Sequence, residues 1–574
     1  MERLETKIVH GNTYYYYSKW ARKDGRCRRI WQKYLGKLED IVQAIEAGPA
    51  PICAEVFQWG LPEALWKEAQ RAQLVELVDH HCRKRKQSLS VGQYLTIAAL
   101  NRAICPKSKR SIWEWFSQTS LRRHLPEASE KALSSQRFWD HMDRIDRDGT
   151  ANIWKALLRD TIAREQIDLS SISYDGTNFY TVIDTFNLRC ELPQRGKNKQ
   201  GRNNLRQVSY ALFCTADGHL PLFYDVYEGQ RNDAKQFPPM LRRFKAVFRE
   251  LAGPQADLPE TTLVLDKGNN SEDNWRLIDE LQLKFVGSVK LDQHKDLATV
   301  LHGDSRYTPC TTTDLEGTKA FRVKRKVAGQ ERVLVVTYNQ NLFDAQWKTV
   351  QTDLAKSLEK LAALRQRLED RAAGLVKGGR APTVASVDKQ CKEFRSRQHM
   401  KRVISTHVRA GDDGIPRLEY SLDGPALETL SKTLLGKTIL ISNRESWKDE
   451  RIIRAYRSQY IIENVFKEMK DRDTGMWWPL NHWTDSKIRV HALYCTIALL
   501  LRALMYRRVC QSGVKVSLLR LLTELDGIRE VINILPGKRG KKVTPRRTVL
   551  TKMSELQQRL LDILEMGGRE ATLG

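Results

Sequence analysis

The chain has 574 residues, several times the usual length of one domain, so several structural units are expected and a single small fold is excluded. With 41% hydrophobic and 29% charged residues, the composition is that of a protein that buries real cores, which excludes global disorder. The 96 lysines and arginines exceed the 69 acids, and the resulting net charge of +27 predicts attraction to a polyanion, first nucleic acid and second an acidic membrane surface.

Neither secretion nor membrane insertion is expected. The N-terminus carries no apolar segment after its charges, as a secretory signal would. The most apolar helix, around Val490 to Tyr506, is interrupted by His491 and Arg502 and is too short to cross a membrane, so it is interpreted as a buried helix. The ten cysteines form no zinc-ligand pattern and are expected to be free thiols in a reducing cytoplasm.

Residues 1–50 predict a small β-element that is basic and aromatic. Eight basic residues and one acid fall between positions 19 and 37, interleaved with tryptophan and tyrosine. Cationic side chains pair with phosphates and aromatic rings stack on bases, so the element is a candidate DNA contact. The alternative is a solvated basic hairpin face. The candidate contact residues are Arg28, Arg29 and Lys33.

Residues 51–165 predict a mostly helical region that binds DNA. Apolar residues recur at three- and four-residue spacing, as in VGQYLTIAALNRAI and ANIWKALLRDTIA, which is typical of amphipathic helices. The pattern does not single out a recognition helix.

Residues 166–290 predict the first part of a catalytic core. SSISYDGTNF, VSYALFCTADG and HLPLFYDVYEG are β-like and are followed by a helix, then by TTLVLD, SEDNWRLIDELQ and KFVGSVK as strand, helix and strand. This β-β-β-α-β-α-β order is that of an RNase H-like mixed sheet, so the predicted fold class is α/β. Only a final helix that carries a carboxylate is missing.

Residues 291–436 predict a β-rich insertion with a long helical arm. In the arm, Leu354, Leu361, Leu368 and Leu375 repeat every seven residues. They could form a coiled coil, or the arm could fold as a helical hairpin against the segment DKQCKEFRSRQ.

The missing helix is predicted at DERIIRAYRSQYIIENVFKEMKD, in the second part of the core at residues 437–510. Tyr456, Glu463 and Lys470 are seven apart and therefore share one side of this helix, beside its apolar stripe.

Residues 511–574 predict a C-terminal helical region with a basic linker at 536–547. That linker is either a phosphate contact or a solvated flexible loop.

Three acids stand out by position. Asp175 places a charge inside the first strand of the core, Asp266 ends the apolar run LVLD, and Glu463 lies on the returning helix. An RNase H-like sheet would bring them together, and crowded carboxylates repel unless a cation binds them. Hard oxygen ligands predict Mg²⁺ or Mn²⁺. Two such ions, about 3.5 to 4 Å apart, suit phosphodiester chemistry. The alternative, for each residue taken singly, is that the aspartates are turn or cap residues and that Glu463 is a solvated helix charge. The strand order and the joint placement of the three acids favour the metal site.

These motifs resemble the DDE transposases of bacterial insertion sequences. The similarity rests on YDGTNF, LDKGNNS and the spacing of Tyr456, Gln459, Glu463 and Lys470, and it covers roughly residues 170–505. The superfamily it resembles has a β-rich insertion before the catalytic Glu and a Tyr-Arg-Glu-Lys signature around it. The resemblance implies a cut-and-paste transposase that cleaves double-stranded DNA at the inverted repeats of transposon ends, by way of hairpin ends, and joins 3′-hydroxyls to target DNA. It further implies a homodimer on DNA in the bacterial cytoplasm, associated with the nucleoid.

The resemblance also implies residue roles. Asp175, Asp266 and Glu463 would hold two metal ions, while Tyr456 and Lys470 would hold the DNA backbone next to the cleavage point.

One position departs from the signature. Gln459 stands where the family has Arg, and a neutral amide cannot replace a bidentate guanidinium on phosphate. Either Arg457 or Arg454 reaches in from another side of the helix, or this contact is weaker and the hairpin step is affected.

Two further features flank the core. The loop at 196–206, with Arg195 just before it, has four cations and no acid, so it is either a DNA-facing loop or a plain flexible turn. The adjacent Trp477 and Trp478 could stack on an extruded base, although paired aromatics are more often core anchors. The candidate DNA contacts in the loop are Lys197, Lys199, Arg202 and Arg206.

Two other functions compete with transposition. One is an RNase H-like nuclease without a joining step, and the other is a catalytically silent, sequence-specific DNA-binding protein. The presence of all three carboxylates argues against the silent protein.

Overall fold

The computed structural model describes residues 1–23, 25–47, 51–82, 89–231, 233–252, 261–269, 271–376, 378–471, 473–536, 546–567 and 572–573. The strands are β1 (Glu2–Val9), β2 (Asn12–Lys23), β3 (Arg26–Gly36), β4 (Cys53–Gln58), β5 (Ser171–Tyr180), β6 (Gln194–Arg195), β7 (Arg206–Thr215), β8 (Pro221–Glu228), β9 (Thr262–Leu265), β10 (Lys284–Val289), β11 (Thr308–Pro309), β12 (Thr318–Val327), β13 (Gln330–Asn339), β14 (Ile404–Arg409), β15 (Arg417–Leu422), β16 (Lys437–Ser442), β17 (Arg529–Ile534), β18 (Arg546–Leu550) and β19 (Thr572–Leu573).

The helices follow the same chain order. They are α1 (Leu38–Ala47), α2 (Gly60–Arg71), α3 (Leu74–His81), α4 (Val91–Ile104), α5 (Ile112–Ser117), α6 (Ser135–Met142), α7 (Arg147–Glu165), α8 (Asp233–Ala252), α9 (Glu272–Glu280), α10 (Lys295–Ala298), α11 (Gln340–Ala372), α12 (Val384–Phe394), α13 (Met400–Val403), α14 (Gly424–Thr429), α15 (Asp449–Arg457), α16 (Tyr460–Lys470), α17 (Asp485–Gln511), α18 (Leu518–Asp526) and α19 (Glu555–Ile563).

The chain divides into two compact units. The first comprises residues 1–145 and 501–574, and the second comprises residues 146–500. The N-terminal helical region was predicted to extend to residue 165. Its last helix, α7, instead belongs to the second unit and begins at the N-cap Asp146, whose carboxylate accepts a hydrogen bond from the amide of Gly149.

The first unit begins with β1, β2 and β3 as an antiparallel sheet, where the sequence predicts a β-element. The candidate DNA contacts on this sheet are exposed: Arg28, Arg29 and Lys33. Helices α2 to α6 follow. The first turn of α4 is fixed by a capping box in which Ser90 and Gln93 bond reciprocally.

A four-stranded sheet in the order β19-β18-β17-β4 completes the first unit. The sequence predicts helices at both ends of residues 511–574, around the basic linker, and α18 and α19 lie there; β17 and β18, which lie between them, were not predicted. Strand β17 pairs antiparallel with β4, from Arg529 opposite Gln58 to Ile534 opposite Cys53. A partner so distant along the chain leaves no local signal. The basic linker at 536–547 lies outside the described residues except at its two ends.

The second unit is built on a ten-stranded mixed sheet. Its order is β11-β12-β13-β16-β10-β9-β5-β7, with β6 and β8 both paired to β7. The pairs β5–β9 and β9–β10 are parallel, and the other pairs are antiparallel. One face packs against α8 and α9 through residues such as Phe213, Phe244 and Trp275.

Among the described residues of 291–436, the hairpin β14–β15 forms a separate two-stranded sheet, and the other strands do not form a sheet of their own. Strands β11, β12 and β13 extend the central sheet beyond β16, because β13 pairs with β16 over six residues. The long arm is a helical hairpin: Leu361, Leu364 and Leu368 of α11 are buried in one cluster with Val387 and Cys391 of α12. This packing confirms the hairpin interpretation of the leucine repeat.

The helix predicted over residues 449–471 is interrupted. Helix α15 ends at Arg457 and α16 begins at Tyr460, with a turn between them. The Ser458 hydroxyl donates to the carbonyl of Ala455 at 2.6 Å, a local bond that competes with helical hydrogen bonding.

Helix α17 is long and apolar enough to cross a membrane by length and composition. However, 94% of its most apolar window is buried inside the protein, which favours the interpretation as a core helix.

Candidate active site

Two strands place Asp175 and Asp266 side by side. The parallel register of β5 and β9 runs from Ser171 opposite Thr262 to Tyr174 opposite Leu265. Asp175 and Asp266 are the next residues on each chain, and neighbouring strands are about 4.8 Å apart. Both side chains are half-buried. The sheet therefore supplies a pair of adjacent carboxylates.

Strand β10, which pairs with β9, places a further polar residue in line with the two aspartates. Because Gly287 lies opposite Leu265 in the parallel pair β9–β10, Ser288 lies beside Asp266. The Tyr456 hydroxyl donates to the Ser288 Oγ at 2.8 Å. Burial raises the pKa of the Tyr456 phenol, the bond to Ser288 opposes that rise, and the charges of Asp266 and Glu463 add to it. Tyr456 thus lies within electrostatic reach of both carboxylates.

Helix α16 presents Glu463 while it packs on the sheet. Ile462, Val465, Phe466 and Met469 are buried, and Glu463 is exposed. The helix contacts β5, and α15 contacts β9 and β10. As the spacing predicts, the apolar stripe leaves the glutamate on a different side of the helix.

Two lysines approach the Asp175 side of the site. The Lys470 amine donates to the Thr177 hydroxyl, and the Lys199 amine donates to the carbonyl of Gly176 at 2.6 Å. The pKa of Lys470 is lowered to about 8, mainly by burial and also by the nearby Lys199 charge, while the Asp175 charge partly opposes the fall. Cations therefore stand next to the first strand carboxylate.

The donor chemistry of this site fits a hard divalent cation, since carboxylate oxygens are the preferred ligands of Mg²⁺ and Mn²⁺. Asp175 and Asp266 fit as a pair by register. Within the described part of the chain, however, no group of three or more His, Cys, Asp or Glu side chains is placed to hold a metal ion. The structure thus brings together two of the three predicted ligands, with Glu463 on the adjacent helix.

The residues around the signature glutamine are engaged elsewhere. Gln459 is 7% exposed in the turn between α15 and α16, which leaves little surface for a phosphate. Arg454 pairs with the Asp314 carboxylate at 2.6 Å. Arg457 donates to the carbonyl of Asp314 and to the hydroxyl of Thr318. The geometry therefore gives no support to Gln459 as a DNA contact, or to either arginine as its replacement.

The cations of the basic loop at 195–206 are of two kinds, exposed and buried. Lys197, Lys199 and Arg202 are exposed, and the Arg202 guanidinium lies 5.9 Å from the centre of the Tyr180 ring. Arg206 was predicted to contact DNA, but it is buried. Its guanidinium donates to the carbonyls of Asp184, Asn187, Cys190 and Pro193. Arg206 thus holds the preceding loop together, a correction to its predicted role.

The two adjacent tryptophans differ in burial. Trp477 is fully buried and stacks on Phe179 with ring centres 4.0 Å apart, so it is a core anchor and is not available to a base. Trp478 is half-buried, stacks on Tyr180, and donates its indole N–H to the carbonyl of that residue.

Sequence reasoning missed Ser288 and Thr177 as partners of Tyr456 and Lys470. Thr177 lies two residues after Asp175 on the same face of β5, so strand periodicity could have identified it. Ser288 is identified only by the pairing of β9 with β10, which no local pattern reveals.

The fold and site are those of an α/β protein with adjacent carboxylates at the centre of a mixed sheet. Comparison with known families identifies the particular class: the transposase DDE domain model matches residues 180–501, which is more than half of the chain. The protein therefore belongs to the DDE transposase family. The match includes Asp266 and Glu463 and begins five residues after Asp175.

No curated protein matches the chain. A cryo-EM structure of the piggyBac transposase synaptic complex with hairpin DNA is similar at a TM-score of 0.36 and 9% sequence identity, covering 83% of this chain and 81% of that chain.

Arg206→Ala is expected to loosen the loop at 181–193. It would leave buried carbonyls without donors, at a cost of about 1 to 3 kcal/mol, so the amides of Glu191 and Leu192 should exchange with deuterium roughly 5- to 150-fold faster. Hydrogen exchange measured by mass spectrometry or NMR reports this rate. The exposed Arg202→Ala is the matched control and should leave loop exchange unchanged. Unchanged exchange in Arg206→Ala would refute the structural role.

Proposed function

We propose that this protein is a cut-and-paste DNA transposase that cleaves phosphodiester bonds at transposon ends and transfers the 3′ ends to target DNA. The single observation that carries the proposal is the register that sets Asp175 beside Asp266, in a chain whose transposase domain match includes Asp266 and Glu463. The order β8-β7-β5-β9-β10 supports an RNase H-like core around these strands. In this proposal DNA passes through hairpin ends before joining.

Asp175, Asp266 and Glu463 are proposed to hold two Mg²⁺ or Mn²⁺ ions. Such ions, when bound, would supply an activated oxygen nucleophile and stabilise the leaving oxygen. Two aspartates one strand apart repel each other, and a cation between them removes that cost. Glu463 is exposed on α16 and completes the proposed set from a different element.

The remaining residues of the site position DNA in this proposal. Lys470 and Lys199 provide charge for a phosphate beside Asp175. Tyr456 is held by Ser288 next to Asp266 and orients the backbone on the other side. The exposed cations Lys197 and Arg202 extend the contact along the loop.

The net charge of +27 supports nucleic acid as the partner, with transposon-end repeats and target DNA as the two substrates. The exposed Arg28, Arg29 and Lys33 of the N-terminal sheet are proposed as further backbone contacts. Holding two ends together requires two active sites, so we propose a homodimer on DNA. Its place of action would be the bacterial cytoplasm, at the nucleoid.

A catalytically silent DNA-binding protein is the second candidate. The observation in its favour is that no group of three metal-binding side chains is assembled among the described residues. A nuclease without a joining step would share the site of the transposase and would differ only in its products.

Asp266→Asn is expected to abolish cleavage of linear DNA that carries the terminal repeats found beside the coding sequence. The substitution keeps the shape of the side chain but removes its charge, and the rate should fall at least about 1,000-fold, measured with Mg²⁺ on end-labelled DNA. The control is Asp273→Asn, since Asp273 is 90% exposed on α9.

The products separate the candidate functions. Cleavage and joining by the wild type, lost in Asp266→Asn but not in the control, support the transposase. Cleavage without joining would indicate a nuclease. Binding without cleavage by the wild type would indicate the silent protein and overturn the proposal.

DNA affinity should depend on the charge of Lys470. Because its pKa is lowered to about 8, the amine is charged below pH 8 and mainly neutral above it. Wild-type affinity for an end duplex should therefore fall about tenfold between pH 7 and pH 9, measured by fluorescence anisotropy without divalent cation. Lys470→Arg stays charged and should lack this step. Identical pH profiles for the two proteins would contradict the assignment.

A further inference from the structure

We propose that the loop at 181–193 is a rigid apolar wedge whose tip, Phe186 and Leu188, enters the base stack of the DNA bound at the active site. This inference rests on the proposed function. It concerns a segment that is not part of the carboxylate site, and it assigns a DNA-distorting role to residues that carry no charge.

The tip residues are unusually exposed for large apolar side chains. Phe186 is 88% exposed and Leu188 is 92% exposed, and Val182 at the start of the loop is 74% exposed. Trp483, 66% exposed, is tied to the loop because the Asn187 amide donates to its carbonyl at 3.2 Å. Exposed apolar residues concentrated in one segment mark a surface that another molecule covers.

The loop is built to hold this tip in place. The Arg206 guanidinium binds four of its carbonyls, and the Asp485 carboxylate accepts the amides of Glu191 and Leu192 at 3.1 Å. Local turns fix the tip itself, since the Phe186 amide donates to Asp184 at 2.8 Å. A preorganised loop loses little conformational entropy when its apolar tip is buried by a partner.

Charge around the loop points to DNA as that partner. Segment 181–206 has two exposed acids, Asp184 and Glu191, against five exposed cations. The Arg195 guanidinium donates to the Thr185 hydroxyl at 3.1 Å, so a cation is bonded to the loop itself. An apolar tip among cations is the combination that proteins use to unstack and kink a duplex. The five cations are Arg189, Arg195, Lys197, Lys199 and Arg202.

The loop also begins only a few strand residues after Asp175 of the carboxylate site. Asp175 lies within β5 and Tyr180 ends it, and the five residues of strand between these two positions span roughly 17 Å. Along that path Lys199 bonds to Gly176 and Arg202 lies over Tyr180, so cations line the route from the carboxylates to the loop. For DNA that follows β5, a rise of about 3.4 Å per base step would place the start of the loop about five base steps from the cleaved bond.

A second copy of the chain is the other occupant that an exposed apolar surface suggests. A symmetric contact through this loop would bring the same five cations of both copies together, and such like-charge juxtaposition opposes association. DNA phosphates would neutralise the cations, and the base stack would bury the apolar tip.

The test uses the full-length protein and end duplexes that carry 2-aminopurine at successive positions within about ten bases of the cleaved bond. In the wild-type complex, fluorescence should rise at least about twofold at one step or two neighbouring steps, because the probe becomes unstacked. The double variant Phe186→Ala with Leu188→Ala should lose this rise, and Phe186→Tyr should keep it. Leu375→Ala, at a residue 75% exposed beyond the end of α11, is the control for removing an exposed leucine.

A second measurement separates a wedge from a loss of fold. A mismatch placed at the responding step lowers the cost of unstacking. The double variant should therefore cleave the mismatched duplex at least about tenfold faster than the matched duplex. Rescue supports the wedge.

Four results would overturn the inference. If the wild type cleaves but no probe responds, or if the double variant matches the wild type, the wedge is wrong and the transposase function stands. If the double variant keeps the fluorescence rise but loses dimerisation in sedimentation, the loop is a contact between copies. If the wild type neither binds nor cleaves the ends, the proposed function fails and the wedge fails with it.

Discussion

The parallel pairing of β5 with β9 is the constraint on which the rest of the site depends. It fixes Asp175 and Asp266 as neighbours in a half-buried row at the centre of the sheet, where two negative charges repel each other. Nothing in the pairing itself favours acids there, because apolar residues would stabilise the sheet better. The apolar stripe of α16 and the bond between Tyr456 and Ser288 add a third carboxylate and a phenol around this row. The fold therefore keeps an electrostatic cost, which a cation bound between the carboxylates would remove.

Much of this arrangement could be predicted from the sequence. A charge inside the strand of SYDGTN and another at the end of LVLD violate the local pattern of buried strands, so both are visible without a structure. The side of the helix that carries Glu463 follows from helical periodicity, and the packing of Ile462, Val465 and Phe466 agrees with it. Local conflict with a strand or helix pattern marks a functional residue when several conflicts meet in one fold.

Other features could not be predicted because they depend on long-range contacts. Strand β17 pairs with β4 from the opposite end of the chain, and no local pattern in either segment identifies that partner. The loop at 195–206 shows only a run of cations, and nothing local distinguishes the buried Arg206 from the exposed Arg202. The buried guanidinium is explained by the four carbonyls that surround it, which come from a different part of the chain. Its burial also gives the exposed Phe186 and Leu188 a fixed position beside the basic loop.

The most direct test of the shared carboxylate site is anomalous diffraction at the manganese edge, from crystals of the protein with an end duplex and Mn²⁺. The account predicts two manganese peaks about 3.5 to 4 Å apart, each within coordination distance of carboxylate oxygens from Asp175, Asp266 and Glu463. Manganese peaks bound elsewhere, or ordered DNA over a carboxylate row that holds no ion, would contradict it.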